Sequence, residues 1–243
     1  MNNRLSMFLL GATLALGLTL AASIIAHAAK VIKNDNAIRV KGFSEVAVQA
    51  DRAHWAISVQ ARDNDMKVAY QIMDSSLRKV TEKLKALGFS EPEIKSGAAS
   101  ITEERAIDEK GNRTNRIELF RITQRVTVAT ANVALVELAS MAITELIKDG
   151  INLSCDHPEY TISTLEELKL DLLGKATRNG YDRAMVMAKN SGGSAGRLKS
   201  AAQGIFQIVP VNSTDVSDSG SYDTSTRDKT IKAVVTLEFE VVK

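Results

Sequence analysis

The sequence predicts an α+β protein in which antiparallel sheets of about seven strands pack against three helices. Three observations carry this. Apolar residues alternate at period two in segments that follow one another in neighbouring pairs, and short turns join such pairs as antiparallel ladders. Single amphipathic helical patterns separate the pairs, so each helix has a sheet face to cover. The chain has only three prolines, and behind residue 30 no Gly/Ser-rich linker divides it, so any subdomains should pack tightly.

From Ile38 to Ala50 the even positions include Ile38, Val40, Val46 and Val48, while Arg39, Lys41 and Glu45 stand at odd ones. This is a half-buried strand. A second strand, Arg52 to Arg62, places Ala53, Trp55, Ile57 and Val59 on one face, and Asp51 marks the turn between the two. Asn64 and Asp65 then open a helix with Val68, Ile72, Leu77, Val80, Leu84 and Leu87 near one face, and Gly88 stops it in the left-handed conformation. Ser90 and Glu93 suit the cap of a further short turn.

Ile94 to Ile107 and Asn115 to Thr130 read as a long hairpin whose polar connection contains Gly111 and Asn112. A second helix runs from about Ala131 to Lys148 and stops at Gly150. Strand five follows from Ile151 to about Ile162. The longest helical pattern behind the N-terminal segment begins at Thr164, with Leu165, Leu168, Leu172, Ala176, Gly180, Ala184 and Ala188 on one face, in part very small. Thr164 with Glu167 makes a capping-box start, and Gly192 and Gly193 supply the stop. Leu198 to Val211 is strand six. Thr230 to Val242 is strand seven, with Ile231, Ala233, Val235, Leu237, Phe239 and Val241 alternating without interruption.

Ahead of these elements, Leu5 to Ala29 carries no Asp, Glu, Lys or Arg. A charged start, an apolar body and the Ala26-His27-Ala28 ending fit a secretory signal, and the length of the charge-free run equally fits a helix that remains as a membrane anchor. Residues 1–30 are therefore expected to be a signal-anchor or a signal peptide cleaved near Ala28, and residues 31–243 a single domain. Arg4 is the only charged residue among the first 29, and the whole chain has 31 Lys and Arg against 29 Asp and Glu. The exported part is nearly neutral, which argues against nucleic acid as the principal partner.

Few residues suggest chemistry. Gly192 to Gly196 matches G-x-S-x-G around Ser194, but a nucleophile elbow needs a strand before the serine and a helix after it, and here the order is reversed. A hydrolase built on Ser194 is thus the weakest reading. His54 and His157 are the histidines left after export, and Cys155-Asp156-His157 is too sparse a set for zinc, which takes about four ligands. Cys155 is the single cysteine and has no internal disulfide partner. It is expected to be a small buried side chain that reacts slowly, the alternative being a reactive or intermolecular thiol. Asn212 to Asp228 reads as a long polar, exposed loop, in which Asp215, Asp218 and Asp223 are weak candidates for calcium because their spacing does not follow an EF-hand. No catalytic residue and no cofactor is expected.

Ile38 to Gly42, Val46 to Asp51, the helix and turn from Ala176 to Gly196, and the closing strand from Ala233 to Val241 together resemble the SIMPL-domain family over nearly all of residues 37–242. Gly204 to Phe206, Pro210, Asn212 to Thr214 and Val216 to Asp218 are similar to a bacterial subgroup with an N-terminal membrane segment. The resemblance implies an exported, periplasmic envelope protein of α+β fold that tends to self-associate, with some members linked to oxidative-stress or envelope-stress defence. It implies no catalytic residue. The expected function is a non-enzymatic, self-associating scaffold or interaction module, held at the inner membrane through residues 5–29 if these are uncleaved. The alternative is a periplasmic module that binds a small ligand or lipid in an apolar cleft between helix and sheet.

Overall fold

The computed structural model describes residues 3–33, 36–213, 217 and 219–242. Among them the chain forms four α-helices and eleven strands, an α+β architecture. Residues 1–44, 173–204 and 234–243 make one compact unit, and residues 45–172 and 205–233 make a second.

The second unit is built on a long antiparallel ladder. Strand β2 (Arg52–Asp63) pairs with β5 (Arg113–Thr130) from Ala53 opposite Thr130 to Asp63 opposite Phe120. Trp55, Ile57 and Val59 point to one side of β2 and are fully buried, as are Ile122, Val126 and Val128 of β5. Each such side chain contributes roughly 1.5–3 kcal/mol on leaving water. Helix α2 (Met66–Leu87) closes this core with Ala69, Met73, Val80 and Leu84. Its ends are fixed as its sequence requires. The Asp65 carboxylate accepts from the amides of Lys67 and Val68, worth about 1 kcal/mol. At the other end Gly88 has φ 112°, and the amides of Gly88 and Phe89 bond the carbonyls of Lys85 and Leu84. A 3₁₀ turn follows at Glu91–Glu93, where the Glu93 carboxylate accepts from the amide and hydroxyl of Ser90.

The first arm of the expected hairpin is present but interrupted. Strands β3 (Ile94–Ser96) and β4 (Ser100–Ile107) both pair with β5, and the gap at residues 97–99 is held by the Gly97 amide on the Arg125 carbonyl. Helix α3 (Val133–Ala142) tightens into a 3₁₀ segment, Ile143–Ile147, before Gly150. Strand five is likewise divided into β6 (Asn152–Cys155) and β7 (Glu159–Thr161), each paired with β2. Pro158 lies in the break and cannot donate a ladder hydrogen bond, and the Asp156 carbonyl there accepts from the Trp55 indole at 3.0 Å.

The expected antiparallel pairing of the first two strands is not what forms. Strand β1 (Ala37–Gln49) is the neighbour of β11 (Asp228–Val242), and β2 belongs to the other sheet. The connection at Ala50 and Asp51 sends its hydrogen bonds to distant chain instead. The Ala50 amide reaches the Arg227 carbonyl, the Asp51 amide reaches Thr161, and the Asp51 carboxylate holds the amide and hydroxyl of Ser163.

Helix α4 (Leu165–Asn190) ends at Gly192, φ 81°, with the Gly193 amide on the Ala188 carbonyl at 2.9 Å. The strand predicted from Leu198 starts earlier and is divided, into β8 (Ser194–Gln203) and β9 (Gln207–Pro210), both antiparallel to β11. In the first unit the small residues of α4 permit backbone contact with β1. A Cβ at Gly42 would overlap the Ala176 carbonyl oxygen and lie 2.8 Å from the Gly180 nitrogen. The long polar loop contains regular structure among its described residues. It contains β10 (Ser221–Tyr222), which pairs in parallel with β9, so the sheets are not purely antiparallel.

Helix α1 (Asn3–Lys33) precedes these elements. Among the residues whose side chains are described, no helix is long and apolar enough to cross a membrane. The expected membrane segment, residues 5–29, lies partly outside them.

Candidate functional site: a groove beside an edge strand

Strand β1 has β11 as its one strand neighbour among the described residues, so its other side is an edge. The Asn36 carbonyl accepts from the Val241 amide. Because backbone groups alternate sides along a strand, even-numbered residues here address β11 and odd-numbered ones address the edge. Two of these edge groups are met by side chains of α4. The Lys41 carbonyl accepts from Arg183 Nη1 at 3.2 Å, and the Phe43 amide donates to Asn179 Oδ1 at 3.1 Å. Between strand and helix runs a groove of about 540 Å³, lined on one side by Arg39, Val40 and Lys41 and on the other by Asn179, Arg183 and Met187 among others.

The groove is apolar at its base and basic at its rim. Val40 is buried, whereas Val186 and Met187 on α4 are 60% and 51% exposed. Arg39 is engaged by Glu238 at 2.8 Å, and this hydrogen bond lowers the Glu238 pKa. Asp182 faces Arg178 at 3.2 Å. The arrangement offers backbone donors and acceptors, an apolar floor and positive charge, which are the means of binding an extended chain.

The residues singled out in the sequence lie elsewhere. Ser194 opens β8, after a helix and not after a strand, and its hydroxyl donates to the Val242 carbonyl at 3.4 Å. His54 and His157 are both exposed. Cys155 is half-buried in β6, opposite Ile57. Burial, with a smaller contribution from the Asp156 charge, pushes its thiol up to about 11.

Of the three calcium candidates, Asp215 and Asp218 lie outside the described residues. Asp223 is occupied within the chain. Partial burial raises its pKa, but hydrogen bonds from Ser225, Thr226 and Lys229 prevail and hold the carboxyl well below its ordinary range. Among the described residues no group of three His, Cys, Asp or Glu side chains converges on a metal position. The partner of Asp223 was not foreseen. Lys229 is 1% exposed, and its ammonium bonds the Asp223 carbonyl at 2.6 Å and carboxylate at 3.1 Å. Its signal was the odd-numbered apolar phase of the last strand, which extends back from Ile231 to position 229. Further ties pin the loop: Lys232 to the Ser213 carbonyl, Gln207 to the Ser217 carbonyl, and the Tyr160 amide to the Thr224 carbonyl. A second hollow of about 500 Å³ lies beside it at Tyr160 and Arg227. There Arg227 is matched by Glu137 at 3.1 Å.

The fold and the groove define an α+β module with a helix-flanked strand edge. The chain belongs to the SIMPL family, described as a protein of unknown function (DUF541), which it matches over residues 38–239. No curated protein matches it. Among solved structures it is similar to a hydantoinase/carbamoylase family amidase from Burkholderia ambifaria, with 14% identity and a TM-score of 0.28. That likeness covers 45% of this chain and 28% of the amidase. An uncharacterized conserved protein from Listeria innocua is similar at 8% identity over 79% of this chain and 92% of its own, with a TM-score of 0.19. At these TM-scores neither likeness carries a function across.

Proposed function

We propose that the chain is a non-enzymatic module of a bacterial envelope, held to the inner membrane by α1 and acting through association with protein, itself included. The observation that carries this is the state of α1. Leu14, Leu16, Leu18, Leu20, Ile24 and Ile25 are all more than half exposed, and residues 13–26 show no covered side. A helix apolar on every side needs a nonpolar surrounding, and a bilayer supplies one. The groove, rich in backbone and apolar contacts, supports binding in place of group transfer. A role in envelope-stress or oxidative-stress defence rests on the family resemblance alone.

Intact-mass measurement of protein from its own host, with carbonate extraction of the membranes, tests the tether. A mass starting at or near Met1 and resistance to extraction are expected. A chain beginning near Lys30 and recovered in solution overturns the anchor and leaves a soluble periplasmic module. An Ser194→Ala variant that lost ester or peptide hydrolysis while keeping its stability overturns the non-enzymatic part. The second reading, a small apolar ligand or lipid held in the groove, is favoured by the groove's volume and apolar base.

A further inference from the structure

We infer that the groove between β1 and α4 holds an anionic phospholipid of the bilayer that α1 enters, its phosphate at Lys41 and Arg183 and one acyl chain along Val40, Val186 and Met187. The inference deepens the reading of the groove as a lipid site and rests on α1 as a tether. The charge of the chain is unevenly placed. Of the 31 Lys and Arg and 29 Asp and Glu, the segments of the first unit carry 12 and 4, and the remaining segments carry 19 and 25. A chain nearly neutral as a whole is thus strongly basic in the unit that contains α1 and acidic in the other. Basic residues beside a membrane segment are drawn to anionic headgroups, each one strengthening the attraction about fivefold near the surface.

Within the groove the charges are not all matched. Arg39 is met by Glu238 at 2.8 Å and Asp182 by Arg178 at 3.2 Å. Among the described residues Lys41 and Arg183 form no ion pair, and both are exposed. Arg183 donates one hydrogen bond to the Lys41 carbonyl, which holds its guanidinium at the rim with other donors to spare. Two cations without a carboxylate, above an apolar floor, complement a molecule that is anionic at one end and apolar at the other. The volume of about 540 Å³ falls within the roughly 300–1,000 Å³ of small-ligand sites. A peptide strand suits the groove less well, since the Phe43 amide and Lys41 carbonyl that it would bond are taken by Asn179 and Arg183. Arg39 stands six residues beyond Lys33, the end of α1, so it stays within roughly 20 Å of the helix end however the chain between them runs. With α1 in a bilayer, the lipids of that bilayer are in reach.

The full chain in an uncharged detergent is titrated with dioctanoyl phosphatidylglycerol or dioctanoyl phosphatidylcholine, and bound lipid is read by native mass spectrometry and by the shift in Tm. The phosphatidylglycerol is expected to bind and raise the Tm, and the zwitterionic lipid to bind about tenfold more weakly. Lys41→Gln is expected to weaken phosphatidylglycerol binding about fivefold, and Lys41→Glu further. Val186→Asp, which puts a charge on the apolar surface, weakens it as well. Lys95→Gln removes an exposed lysine of β3 in the second unit and leaves binding unchanged. Equal binding of the two lipids overturns the inference, and so does a loss in Lys95→Gln as large as that in Lys41→Gln. Inorganic phosphate that raises the Tm as far as the lipid does, or a glutamate-rich peptide that binds more tightly, also overturns it. Circular dichroism of each variant confirms that the fold is retained. Carbonate extraction reads the tether and this titration reads the groove, so a failure of one is told apart from a failure of the other.

Discussion

Asp223 and Lys229 form a pair that ties the described part of the polar loop to β11. Lys229 is almost wholly inaccessible, so removing the Asp223 carboxylate leaves a buried ammonium without its counter-charge, with the Asp223 carbonyl still accepting from it. Asp223→Ala is expected to cost about 3 kcal/mol in urea unfolding, and Lys229→Met distinctly less, since methionine fills the space without needing a partner. The acid dependence follows from the direction of the Asp223 shift. Its folded pKa is held below the ordinary 3.8, so the stabilisation is present above about pH 4 and is lost as pH falls toward the folded value. Thermal unfolding between pH 6 and 2 should show that loss in the natural chain and much less of it in Asp223→Ala. Cys155 is governed by burial. A thiol raised from 9.0 to about 11 holds about 100-fold less thiolate near neutrality and should be labelled about that much more slowly than a free peptide thiol under native conditions. Fast labelling, at the rate seen after denaturation, contradicts this.

At the scale of elements, the meeting of α4 with β1 is decided by two glycines of unequal tolerance. A Cβ at Gly42 meets backbone atoms of Ala176 and Gly180, which cannot turn aside. A Cβ at Gly180 first meets Leu237 Cδ1 at 2.7 Å, the end of a flexible side chain. Gly42→Ala is therefore expected to destabilise by about 3 kcal/mol or more and Gly180→Ala by about 1 kcal/mol, measured by denaturant unfolding. The small-residue stripe of α4 made such an approach legible beforehand, as Asp65, Gly88 and Gly192 made the ends of helices legible, because those signals act within a few residues. What escaped was decided at long range. Ala50 and Asp51 look like a tight turn, yet their hydrogen bonds go to Arg227, Thr161 and Ser163, and so the chain changes sheet there. The breaks at residues 97–99, 156–158 and 204–206 fall where a neighbouring strand, invisible to local periodicity, sets the register. Lys229 was hidden by its charge, since its burial depends on a carboxylate six residues earlier in a loop that composition marks as exposed.

At the scale of the whole molecule, the α+β class followed from periodicity, while the candidate groove did not, because Lys41 and Asn179 are joined by folding and not by any motif. The units are interleaved along the chain: one uses residues 1–44, 173–204 and 234–243, and the other uses the segments between. This ordering bears on how the protein is made. A chain emerging from its N-terminus lacks part of the first unit's sheet until β11 is available, since β8 pairs with Val235 to Val242. Contacts so far apart in sequence form slowly. The growing chain thus cannot complete the first unit's sheet until its last residues are made, and β8 waits for its partner strand until then. Its final strand acts as the latch that closes the sheet.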